Sequence, residues 1–161
     1  MNKNIKRILA LILALTAALA LAACGEKAAQ APDLNAFYED YMASLDEAPM
    51  MMDVTDDVVE TFYPGLGSIS LKQSVLKTAA ISAVAYEMAL VECADSADVE
   101  TVRDIFQARI DSQVEGGAMY PATAEAWEGA EILTSGNVVA LIVAGQDQDA
   151  AVSAFNGALE G

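Results

Sequence analysis

Two runs constrain what this chain can fold into more than anything else in it: Val84–Ala94 and Asn137–Ala144. In extended chain the first puts Tyr86, Met88 and Leu90 on one face and Ala85, Ala89, Val91 and Cys93 on the other. The second (NVVALIVA) is almost wholly apolar. Strands apolar on both faces need cover on both faces, so each is expected inside a sheet. Glu131–Thr134 precedes the second run, and Ser135-Gly136 between them is a two-residue hairpin signal.

Elsewhere the apolar spacing turns helical. Asp33 can cap a helix through Phe37, Tyr38, Tyr41 and Leu45, ended by Pro49. Thr55 can cap a short helix with Val58, Val59 and Phe62, stopped by Pro64-Gly65. Residues 66–82, with Leu71, Val75 and Leu76, suit a short helix or extended chain, and the extended form is favoured. Asp95 or Ser96 caps a helix whose stripe is Val99, Val102, Phe106, Ile110 and Val114, with Asp98 and Glu100 favouring its N-terminal dipole. Gly116-Gly117 ends it. A short helix over residues 123–129 carries Trp127 as a core anchor. The closing helix opens at Asp147 or Gln148 and presents Val152, Phe155 and Leu159. The expected architecture is α+β: a small, mostly antiparallel sheet with a C-terminal hairpin and helices packed on it, after an N-terminal helical part over 33–63.

The first residues read as an address. Lys3, Lys6 and Arg7 precede an uncharged stretch from Ile8 to Ala23, shorter and more Ala-rich than the roughly 20 strongly apolar residues of a spanning helix. It ends in Leu21-Ala22-Ala23-Cys24, which resembles the lipobox of bacterial lipoproteins. That resemblance implies a diacylglyceryl group on Cys24 and cleavage before it. The alternatives are an uncleaved signal anchor and ordinary secretion. Two acyl chains give stable attachment where one does not. The expected organisation is a signal peptide over 1–23, a lipid anchor and tether over 24–32, and a single domain over 33–161. The expected location is the outer face of the cytoplasmic membrane, with the membrane a partner through diacylglyceryl-Cys24.

Charge and missing residue types narrow the function. Beyond residue 23, five bases (Lys27, Lys72, Lys77, Arg103 and Arg109) face all 24 acids of the chain. Such a surface repels nucleic acid and anionic headgroups and admits cationic wall polymers or basic proteins. There is no histidine. That removes Ser-His-Asp and Cys-His catalysis and every His-dependent zinc site. With Cys24 lipidated, Cys93 has no intramolecular partner and reads as a small buried hydrophobe.

Five constellations bear on chemistry. Ser74-Val75-Leu76-Lys77 spells S-x-x-K, but the companion elements of that catalytic family are absent, so it reads as coincidence. Asp53, Asp56, Asp57 and Glu60 would group at a helix start. Without a calcium-loop pattern they read as a solvated face, and Asp147-x-Asp149 is equally bare. Met50-Met51-Met52 offers soft ligands for Cu(I), but reads better as core filling between two helices. Arg109 reads first as laid over apolar surface and paired with a local acid, Asp104 or Asp111; the alternative is that it turns inward toward an anionic ligand. Glu87, mid-strand among apolar residues, is its partner in the inward case. Glu87 and Arg109 are therefore the candidate ligand or ion-pair site. No cofactor, metal or catalytic residue is expected.

The order of elements over about 53–159 resembles a family of bacterial lipoproteins, common in low-GC Gram-positive bacteria and known only as a domain of unknown function. The residues that carry it are Tyr86-Glu87-Met88-Ala89-Leu90-Val91, Asp98-Val99-Glu100-Thr101-Val102, Arg109, Tyr120-Pro121, Ile132, Gly136-Asn137-Val138-Val139 and Phe155. The resemblance implies a lipid-anchored extracytoplasmic domain and no particular substrate. The expected role is a non-enzymatic binding or interaction module of the cell envelope, with a protein or wall polymer as partner. The alternatives are a small carboxylate-dependent hydrolase or transferase built on Glu87 and a second acid, and an accessory subunit of a membrane complex. The last predicts an exposed apolar patch.

Overall fold

In the computed structural model, residues 31–160 are described. The segment read as a signal peptide, and Cys24 with most of its tether, lie outside the described residues. The elements in chain order are α1 (Leu34–Ser44), β1 (Met51–Asp53), α2 (Val59–Phe62), β2 (Leu71–Ala79), β3 (Glu87–Cys93), α3 (Val99–Ser112), α4 (Pro121–Glu128), β4 (Glu131–Ser135), β5 (Val138–Val143) and α5 (Gln148–Glu160).

The strands form one sheet in the order β1-β2-β3-β5-β4, and every neighbouring pair is antiparallel. The two runs apolar on both faces, β3 and β5, lie side by side in the middle. Every residue of β5 is buried, and in β3 all but Glu92. On one face Met88, Leu90, Val138, Ala140 and Ile142 meet Leu34 and Tyr41 of α1 and Phe155 of α5. On the other, Ala89, Val91, Cys93, Val139, Leu141 and Val143 meet Tyr63, Val102, Phe106 and Trp127. The fold is thus α+β with helices on both sides of an antiparallel sheet. Each fully buried aliphatic side chain contributes about 1.5–3 kcal/mol, so these two strands carry a large share of the cohesion.

Local chemistry sets the helix ends. The Asp33 carboxylate accepts from Asn35 N (3.1 Å) and Ala36 N (3.0 Å), and that of Asp95 accepts from Ala97 N (2.9 Å). The helical turn Ser96–Asp98 then leads into α3. α3 leaves through a wide turn at Gln113–Gly117, where Gly116 sits at φ 149° and Ala118 N reaches Gln113 O (2.9 Å). Within residues 66–82 the favoured extended form holds for Leu71–Ala79, while Leu66–Ser68 makes a single helical turn and the chain turns from residue 80 toward β3.

Two expectations change, and the S-x-x-K reading as coincidence stands. The hairpin loop is Gly136-Asn137, one residue later than the Ser135-Gly136 reading, because Ser135 still pairs with Val138. The methionines do not fill a gap between helices: Met51 and Met52 belong to the edge strand β1, which pairs with β2. Strand alternation turns Met51 toward the core on the α1 side and leaves Met50 at 78% and Met52 at 50% exposure. Ser74 and Lys77 lie three apart on β2, so their side chains leave opposite faces of the sheet and cannot act together.

Candidate functional site

Glu87 opens β3 on the face covered by α2, α3 and α4. Its cross-strand neighbours form a row from the edge inward: Met52 opposite Thr78, Thr78 opposite Glu87, and Glu87 opposite Val143. A carboxylate this deep, 1% exposed, requires full hydrogen bonding. Glu87 has it. Its Oε1 accepts from Tyr63 Oη (2.7 Å) and Arg109 Nε (3.0 Å), and its Oε2 from Arg109 Nη2 (2.8 Å) and Thr78 Oγ1 (3.1 Å).

Arg109 lies in the last turn of α3, where a cation also favours the helix dipole. It turns inward, which overturns the favoured reading that it pairs with Asp104 or Asp111. Its guanidinium carbon lies 4.5 Å from the Phe62 ring centroid and 5.0 Å from that of Trp127. Cation–π attraction of about 2 kcal/mol per desolvated contact adds to the bidentate bond. Burial pulls the guanidinium pKa down, but the bond to Glu87 and its charge outweigh that, leaving it above its ordinary value. Burial, with the Glu87 charge and hydrogen bond, pushes the Tyr63 phenol well above its ordinary value, so Tyr63 donates as a neutral hydroxyl.

Above this pair opens a cleft of about 250 Å³, floored by Thr78, Glu87 and Arg109, with Phe62 and Trp127 as aromatic walls. Arg109 Nη1 makes no hydrogen bond among the described residues, and no buried side-chain nitrogen or oxygen lacks a partner, so Nη1 opens toward the cleft. Met52, Ile81, Val84 and Met119 rim the cleft, and all are exposed. Among the described residues Glu87 is the one acid lining it.

The other candidates serve structure. Glu60 accepts from Gly65 N (2.8 Å) and Gly67 N (3.1 Å), Asp53 pairs with Lys77, and Thr55 donates to Asp57. Among the described residues no three His, Cys, Asp or Glu side chains converge as metal ligands would. Cys93 is fully buried, and burial together with Asp98 pushes its thiol pKa up.

Sequence reasoning named Glu87 and Arg109 but missed Tyr63, Thr78 and Phe62 as their partners. Thr78 was reachable only through strand register, which places it opposite Glu87. Trp127 was expected as a core anchor and is one, at 4% exposure, but its second role is as a wall of the cleft.

A sequence model described as a domain of unknown function, DUF4358, matches residues 43–144, more than half of the chain. The chain belongs to that family. The matched stretch holds all five strands and the whole Glu87–Arg109 site. It stops short of α5, whose Phe155 was among the resembling residues, and takes in only the last two residues of α1. No curated protein and no solved structure matches the chain. Among the described residues no helix is long and apolar enough to cross a membrane.

Proposed function

We propose that the protein is a lipid-anchored lipoprotein on the outer face of the cytoplasmic membrane, whose domain binds a partner in the cell envelope and catalyses no reaction. The anchoring part rests on the sequence that ends in Leu21-Ala22-Ala23-Cys24. One observation carries the binding part: exposed apolar side chains surround a cleft whose floor offers a free guanidinium N–H. The carboxylate-dependent enzyme gains no support here. A general acid–base pair needs a second carboxyl group, and all four of Glu87's hydrogen bonds already hold it in place. The apolar rim favours the accessory-subunit version of the reading, in which the partner is a membrane complex and the contact is stable.

Fractionation tests the anchor. The wild type should sediment with membranes after a high-salt wash and incorporate labelled fatty acid, whereas Cys24→Ser should do neither. A variant that still takes up label would sink the lipobox reading. For the binding role, a photo-crosslinking residue at Met119 should capture a partner on intact cells, and one at Asp149 on α5 should not. Equal capture at both positions would count against a dedicated face.

A further inference from the structure

We infer that the apolar face around the Arg109 cleft seats a segment of a partner protein in which a large apolar side chain is flanked by basic residues. The inference deepens the binding reading above and rests on it. Of the seven large hydrophobics left exposed among the described residues, four line the cleft: Met52, Ile81, Val84 and Met119. Two more adjoin it. Met50 neighbours Met52 in sequence and is held by Ala80 N (2.8 Å), while Tyr120 follows Met119. Scattered singly, such residues would need no explanation; gathered at one cleft, they mark a contact surface.

The cleft sets the size and polarity of what enters. A volume of about 250 Å³ is below the usual range for drug-sized ligands and suits one large side chain. Because Glu87 already neutralises the guanidinium, the free Nη1 is a hydrogen-bond donor more than a net positive charge. A backbone carbonyl meets it without desolvating an anion.

Charge selects the flanks. The one base lining the cleft among the described residues, Arg109, is already paired with Glu87. The domain around the patch is strongly acidic, since beyond residue 23 five bases face 24 acids. Glu115, Glu125 and Glu128, exposed and in no salt bridge among the described residues, each lie within two residues of a residue that lines the cleft. The face therefore sets a neutral apolar centre in an acidic domain. A second copy would bring the same excess of acid against it, and an anionic lipid surface would be repelled for the same reason. Lysine or arginine beside the inserted side chain complements that charge and speeds encounter.

Trp127, the chain's single tryptophan, lines the cleft, so its fluorescence reads occupancy directly. The full chain in detergent is titrated at low salt with three tryptophan-free peptides of equal length. One has a Leu-Phe-Leu centre between lysines, one the same centre between glutamates, and one a Ser-Gly-Ser centre between lysines. The first should give a saturable change, and the other two should bind at least about tenfold more weakly. Ile81→Ser with Met119→Ser should weaken the first peptide by about tenfold without moving the thermal midpoint, since both side chains are exposed. No response to the first peptide, equal binding of the serine-centred one, or tighter binding of the glutamate-flanked one would each overturn the inference. If those titrations fail while crosslinking from Met119 on cells still captures a partner, the binding module stands and only this ligand class falls.

Discussion

At the scale of single residues, Glu87 is the most consequential in the domain. It is a buried anion whose stability depends on donors from three other elements or loops: Tyr63 just after α2, Thr78 on β2 and Arg109 on α3. Removing one charge strands the other away from water. Arg109→Met should therefore lower the stability measured by urea unfolding by about 3–5 kcal/mol. Pairing it with Glu87→Leu should cost clearly less than the two single changes added together, because no orphan charge remains. Strict additivity in that cycle would mean the pair is not coupled. The two partners were legible in the sequence: a charged residue in mid-strand among apolar neighbours, and an arginine beside a helix's apolar stripe. Their geometry was not, because an arginine at that position reaches a local acid as easily as a distant one. What decides is which of the two is buried, and burial belongs to the packed molecule.

Elements follow from short-range rules, and here the sequence reads well. Runs apolar on both faces became β3 and β5, capping carboxylates start α1 and the turn that leads into α3, and glycine stands at the turn between β4 and β5. Gly136, at φ 56°, occupies the left-handed region that β-branched residues resist. Gly136→Val should destabilise by about 1–2 kcal/mol, mainly through that strain. Gly157→Ala, inside α5 with open space where a Cβ would sit, should instead stabilise by about 0.5–1 kcal/mol. Paired urea unfolding of the two variants checks both signs. The misreadings at this scale share one cause. Met50-Met51-Met52 suits a buried or an edge position alike, and only its pairing with Thr78 and Ala79 makes it an edge strand with outward methionines. The hairpin loop slipped by one residue because Ser-Gly and Gly-Asn are both good turn pairs, and cross-strand packing chose between them.

Over the whole molecule, acid is in large excess and exposed apolar side chains gather in one place. The chain has 24 acidic and eight basic residues, and four of the seven large hydrophobics exposed among the described residues line one cleft. Such an excess should repel itself in the folded state. Raising salt from about 10 mM to about 500 mM should lift the thermal midpoint as the screening length shrinks below typical charge spacings. A midpoint that falls instead would mean the four salt bridges seen among the described residues outweigh the repulsion. By itself, the sequence determined the α+β class, both central strands, the main helices and the excess of acid. Each depends on residues close together in the chain or on composition. Tertiary structure alone decided the strand order, the closing of Tyr63, Thr78 and Arg109 around Glu87, and the gathering of Met52, Ile81, Val84 and Met119 at one cleft. Those residues are far apart in the chain, and the sheet's register and the helices covering one of its faces bring them together.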